Sequence, residues 1–309
     1  HPHGTYGPLA ASLALARLRG DGSNDIRAAM NIGMTLGVAA SRQTLGDGAT
    51  VRNIYTGHSG RAAYETLLLR DLGFGGERDA PGSILGHLYG SSFQPSVALE
   101  GLGEQWWLAK SYFKRFASGR YMHASLDAVE LLLERLGGDF AGERVQRIVV
   151  KTFFLAATMG QQHADTPFGM RFSIPCAIAT RILRGRPTLL DDGAGAFEDE
   201  RVHDLAKKIF VEEDVRMTAA YPSTQPARVT VYFEGGGFES VDVDKMLGEH
   251  DRPFAPEMLE GKFVELASPN FGAARAKSIF SLLCAMDEQD HVGQLLAQSC
   301  DAARQADRQ

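Results

Sequence analysis

Apolar residues recur at helical spacing through residues 5–18 and 24–42, where Ala, Leu, Ile and Met dominate. Gly20 separates the two runs and Asn24 is placed to cap the second, so the pattern predicts a pair of packed helices. After a glycine-containing stretch at 46–60, RAAYETLLLRDLGF (61–74) predicts a third amphipathic helix, ended by Gly73 and Gly75. Residues 75–109 are rich in Gly and Ser and read as loops with short helices, Trp106 and Trp107 being expected to pack beneath them.

From about residue 110 the texture changes. A helix is predicted at 124–137, a strand at 145–156, and helices at 172–185 and 202–210. Two alternating runs follow, ARVTVYF (227–233) and FESVDVD (238–244), joined through Gly235, Gly236 and Gly237 as a hairpin. From Pro253 the pattern returns to helices in APEMLEGKFVELA, FGAARAKSIFSLLCAM and DHVGQLLAQSC. The expected architecture is therefore α+β and multidomain. A mainly helical domain (1–109 and 250–309) carries an inserted α+β lid domain at 110–249.

Composition narrows the function classes. A chain of 309 residues with 44% hydrophobic content can bury one or two cores. A net charge of -6 with no long basic run argues against nucleic acid or an anionic membrane as partner, so any anion site must be local. No apolar stretch reaches the roughly 20 residues needed to cross a bilayer. Cys176, Cys284 and Cys300 are odd in number and far apart, which fits a reducing cytoplasm better than a disulfide framework. Cys176 lies in the apolar run FSIPCAIA and reads as a core residue.

Several chemistries find no motif. GFGG (73–76) and GGG (235–237) lack the glycine pattern of a nucleotide loop, GHSGR (57–61) lacks the spacing of a serine-hydrolase elbow, and the nine His residues form no HExxH pair. The acidic loop DDGAGAFEDE (191–200) reads as solvated. No metal and no cofactor are expected. What remains is a concentration of cationic and His residues in three segments: His1 and His3 in HPHGTYG; Arg52, Tyr55, His58 and Arg61 in VRNIYTGHSGR; and Lys114, Arg115, Arg120, His123 and Asp127 in YFKRFASGRYMHASLDA. Fixed Arg and Lys charges are what a small polycarboxylate requires, and His supplies proton transfer near neutral pH. Arg61 and Arg115 are expected on solvated faces. Asp127, four residues after His123 on one helical face, is expected to stabilise the helix or orient the His.

At these segments the chain resembles the MmgE/PrpD family of 2-methylcitrate dehydratases, cis-aconitate decarboxylases and iminodisuccinate epimerases. The likeness rests on HPHGTYG, VRNIYTGHSGRAA, YFKRFASGRYMHASLDA, FSIPCAIATRILRG and RPFAPEMLEGKF, in that order. It implies a helical domain holding both chain ends, an inserted α+β lid, an active site in the cleft between them, and a homodimer formed through the helical domain. It also implies that helices normally preceding His1 are absent from this sequence. His1 matches the His of the family's HPxGT segment, Lys114 the lysine at the start of the lid, and Arg120 with His123 its Arg-x-x-His. Arg52 stands where the family usually has lysine.

Three departures bear on the reaction. Gly119 stands where the decarboxylases place a His, Tyr55 replaces another of their His residues, and Cys176 replaces a Tyr. Decarboxylation is thus the least expected activity, and a cofactor-independent lyase acting on a hydroxy polycarboxylate is the first expectation. An epimerase or isomerase of an amino- or imino-dicarboxylate is the alternative, and an inactive fragment that keeps a carboxylate pocket is the third. In the enzymic readings Arg52 and Arg120 bind substrate. His1, Lys114, His123, Tyr55 and His58 make up the catalytic set.

Overall fold

The computed structural model describes residues 1–39, 41–137, 142, 144–185, 193–288 and 293. The chain divides into two compact units, His1–Trp106 and Trp107–Gln309. In the first unit, α1 (Gly7–Leu18), α2 (Ser23–Thr35) and α3 (Tyr55–Asp71) pack on one another. Small residues allow the close approach: Ala16 and Ala29 are fully buried against Leu67. Arg70 is held between Asp21 (2.7 Å) and Asp71 (2.9 Å), which ties the α1–α2 turn to the end of α3.

Details of the first unit depart from expectation. α2 begins at Ser23 after Gly22, with no side-chain cap, and the Asn24 amide oxygen instead accepts from Arg27 at 3.1 Å. The helix stops at Thr35, seven residues early. α3 begins six residues before the expected start, because Gly57 and Gly60 lie inside the helix rather than in a preceding loop. Trp106 and Trp107 do not pack under the 75–109 loops. They are 75% and 69% exposed, and the Lys110 ammonium sits 4.6 Å from the Trp107 ring.

The second unit is α+β. Its sheet, in the order β2-β1-β3-β4, comprises β1 (Val145–Thr152), β2 (Ile209–Glu213), β3 (Ala227–Phe233) and β4 (Phe238–Val243). β1 pairs antiparallel with β3 and parallel with β2, aligning Ile148 with Val231 and with Ile209. β3 and β4 form the expected hairpin, whose connection needs three residues at positive φ and has them in Gly235, Gly236 and Gly237. Two errors of the pattern reading share a cause. The strand expected to run to 156 ends at Thr152, and the helix expected to reach 210 ends at Ala206, because IFVEE pairs as a parallel edge strand. Apolar periodicity over so few residues does not separate strand from helix.

One helix, α4 (His123–Leu136), runs through the core of this unit and packs on β3 and β4. The helices α5 (Ile174–Arg184), α6 (Glu200–Ala206), α7 (Pro256–Phe271) and α8 (Ala273–Cys284) complete it. The helix expected at DHVGQLLAQSC lies outside the described residues, apart from Gly293, as do Cys300 and the start of the 191–200 loop. Among the described residues no helix is long and apolar enough to cross a membrane.

α4 buries polar as well as apolar side chains: His123, Ser125, Asp127 and Glu130 lie among Leu126, Val129 and Leu132. The acids are compensated. Asp127 accepts from the Leu247 main-chain N–H (2.7 Å) and from Arg115 (3.1 Å), while Glu130 takes a two-pronged pair from Arg181 (2.5 and 2.9 Å) with Arg115 at 3.7 Å. Arg115 is therefore not on a solvated face, as expected from its charge alone. It is a largely buried counterion, drawn inward because α4 carries two carboxylates into the core. Asp127→Ala would leave the Leu247 N–H without its acceptor and Arg115 with only the longer Glu130 contact, and unfolding in urea should show a loss of about 3 kcal/mol. A loss below about 1 kcal/mol would show that the pair is not holding α4.

Candidate functional site

The irregular segment 111–119 is pinned at both ends. The Phe113 N–H donates to the Gly248 carbonyl (2.9 Å) and the Gly119 N–H to the Arg171 carbonyl (2.9 Å). One 3-10 turn, Arg120–Met122, then leads into α4. This delivers Lys114, Arg120 and His123 to one place. Lys114 Nζ donates to the Ser118 carbonyl at 3.1 Å, folding the side chain back over its own loop. The Arg120 guanidinium lies 4.2 Å from the Tyr112 ring and donates to Gln225 and to the Glu249 carboxylate. His123 is the first residue of α4, fully buried, with the Phe116 ring edge-on at 5.4 Å between centroids.

The electrostatics of His123 are unusual. Burial drives its pKa down to about 3, and the nearby charges of Lys114, Arg120 and Lys262 push in the same direction, opposed only by the Ser118 main chain. Neither ring nitrogen has a hydrogen-bond partner of good geometry. The same is true of the buried Arg115 Nε, Ser118 Oγ, Arg120 Nε and Ser125 Oγ. Polar atoms in a protein interior are usually paired, so such a concentration within residues 115–125 makes this segment the candidate site for a polar ligand.

Lys262, on α7, was not singled out in the sequence, nor were Gln225, Glu249 and Tyr112. Lys262 donates to the main-chain carbonyl of Lys114, and burial pushes its ammonium below the ordinary lysine value against the opposing charge of Glu265. A signal was present, since Lys262 is the lone Lys or Arg in α7. Gln225 and Glu249 carried none, because only the tertiary fold brings residues so distant in sequence to Arg120. Asp127 orients no His. Both its oxygens are taken by Arg115 and the Leu247 N–H.

Positions 119 and 176 offer no reactive side chain. A Cβ on Gly119 would lie 2.7 Å from Met159 Cε and 3.2 Å from a Phe172 ring carbon, so a larger residue there would need the Met159 side chain to move and the Phe172 ring to give slightly. Cys176 is fully buried, and burial pushes its thiol pKa up. Beside this segment, a mainly apolar cavity of about 90 Å³ is lined by Phe116, Ser118, Leu126, Met170 and Arg171 among others.

In the first unit the structure brings together His1, His3 and Tyr55. The His1 ring stands 4.7 Å from that of His3 and 5.6 Å from that of Tyr55, which is buried at the start of α3. Thr56 Oγ1 and His3 Nδ1 lie 3.3 Å apart, and Ser59 donates to the His3 carbonyl. Arg52 Nε and His58 Nε2 are buried without a hydrogen-bond partner, whereas Arg61 is exposed. Among the described residues, no group of three or more His, Cys, Asp and Glu is arranged to hold a metal ion.

A family model described as the MmgE/PrpD C-terminal domain matches residues 116–285, more than half of the chain. The match spans Arg120, His123 and Lys262, and Lys114 lies two residues before its start. A search of curated proteins finds no match.

The depressed pKa of His123 has a definite sign in solution. Between about pH 3 and the ordinary His value near 6.5 the unfolded chain binds a proton that the folded chain refuses. The stability that neutral His123 contributes is therefore complete above about pH 6.5 and is lost as pH falls toward 3. In an NMR titration of ¹⁵N-His protein, the His123 ring should stay neutral at pH 5. A midpoint near 6.5 would contradict the burial and the cationic field together.

Proposed function

Because the chain belongs to the MmgE/PrpD family, which includes dehydratases and isomerases, we propose that it is a cofactor-independent lyase of the 2-methylcitrate dehydratase type, acting on a small hydroxy polycarboxylate. The observation that carries this reading is His123: a buried imidazole whose ring nitrogens have no hydrogen-bond partner of good geometry, in the field of Lys114 and Arg120.

The chemistry follows from charge. Removing a proton from a carbon beside a carboxylate is difficult because negative charge accumulates on that carboxylate. Lys114 and Arg120, fixed by the Ser118 carbonyl and by Gln225 with Glu249, are cations already in place to stabilise it without reorganising. Their second effect is on the base. Burial above all, reinforced by the same cations, holds His123 at too low a pKa to accept a proton near neutrality. A bound carboxylate offsets the cationic part of that depression and stabilises the imidazolium directly, raising the pKa toward the operating pH, where general-base catalysis is most effective. His123 then takes the C–H proton, the β-hydroxyl leaves with a proton as water, and an unsaturated acid is formed.

Gly119 and Cys176 support the choice of reaction. Neither position offers the side chain that the resemblance assigns to decarboxylation. In the first unit His1, Tyr55 and His58 are the proposed acid/base groups and Arg52 the proposed cation, each to be tested by its own substitution.

The experiment is a ¹H NMR assay in D₂O with a panel of hydroxy di- and tricarboxylates. Dehydration gives a vinyl signal, and His123→Asn should slow it by about 100-fold or more. Solvent deuterium entering the carbon with loss of optical rotation but no vinyl signal would replace the lyase by an isomerase. Turnover unchanged in His123→Asn would remove His123 from the mechanism.

A further inference from the structure

Lys262 is more than a helix-surface lysine that happens to lie nearby. It reaches the 111–123 segment from a separate element: α7 begins at Pro256, and Lys262 Nζ donates to the Lys114 main-chain carbonyl. That carbonyl satisfies one of its three donors. Its charge also acts on His123, alongside those of Lys114 and Arg120.

The local balance of charge is incomplete. Arg115 and Arg181 are matched by Asp127 and Glu130, and Arg120 by Glu249. Lys262 has Glu265 one turn along its own helix, yet burial outweighs that acid and leaves the ammonium destabilised. A part-buried cation in this condition gains from any additional anion. The Lys262 ammonium is anchored on the Lys114 main-chain carbonyl and the Lys114 ammonium on the Ser118 carbonyl, so two cations from different elements are tied to the same segment at different points and need not share one carboxylate group.

We infer that Lys262 is a carboxylate-binding residue of this site, which with Lys114 selects substrates bearing at least two carboxylates over those bearing one. The inference rests on the carboxylate-binding reading of the Lys114, Arg120 and His123 group. It adds a residue that this reading does not require.

The test is calorimetry on the 309-residue chain with butyrate, succinate and tricarballylate as mono-, di- and tricarboxylate probes. Wild type should bind tricarballylate and succinate well above butyrate. Lys262→Gln keeps a donor for the Lys114 carbonyl and removes the charge. It should weaken succinate and tricarballylate by roughly tenfold while changing butyrate little. Lys262→Arg keeps both donor and charge and should restore most of the lost affinity. A purely structural lysine would leave all three probes unchanged in Lys262→Gln or shift all three by the same factor, and either result overturns the inference. If Lys114→Met abolishes binding while both Lys262 variants bind like wild type, the inference falls and the wider reading stands. If wild type binds none of the probes, or if binding is insensitive to Lys114, both fall together. Thermal melts of each variant separate lost binding from lost folding.

Discussion

The burial of α4 along most of its length constrains the rest of the second unit. A helix that crosses a core normally shows apolar residues there, but this one carries His123, Ser125, Asp127 and Glu130 inside. Each buried charge must be paired or neutralised, because leaving it alone costs several kcal/mol. Asp127 and Glu130 are paired, and the pairing recruits Arg115, Arg181 and the Leu247 N–H from three other parts of the chain. His123 takes the other course and remains neutral. The same requirement thus pins the 111–119 segment, fixes the 245–252 loop against α4, and leaves one imidazole neutral and without a hydrogen bond of good geometry.

Those consequences explain how structure and chemistry meet at this place. The Arg115 pairs hold the segment that carries Lys114 and Arg120, and the loop fixed by Leu247 carries Glu249 to Arg120. Cations held this way are pre-organised, which is what stabilisation of developing charge requires. They also add to the burial that keeps His123 neutral. In the proposed reaction a histidine held near pKa 3 is idle until an anion arrives, which would couple the start of proton transfer to carboxylate binding.

Much of this was legible in the sequence, and the remainder failed for identifiable reasons. The period change near residue 110, α4 and the β3–β4 hairpin follow from patterns long enough to be unambiguous, and the motif around Lys114, Arg120 and His123 is contiguous. The first two residues of β2 were read as the end of a helix because five residues are too few for periodicity to decide. Arg115 was set on the surface because charge alone says nothing about a buried acid twelve residues later. Gln225, Glu249 and Lys262 reach the site only through tertiary folding, from a strand approach, a loop and a late helix. In the first unit the helix starting at Tyr55 runs through two glycines, which local propensity counts against. Packing against α1 and α2 decides the matter.

The central claim is that carboxylate binding offsets the cationic field that, together with burial, keeps His123 neutral. The direct measurement is the number of protons taken up when tricarballylate binds at pH 6, obtained by calorimetry in two buffers of different ionisation enthalpy. Net uptake by the wild type that disappears in His123→Asn is the expected result. No uptake, or the same uptake in the variant, would contradict it.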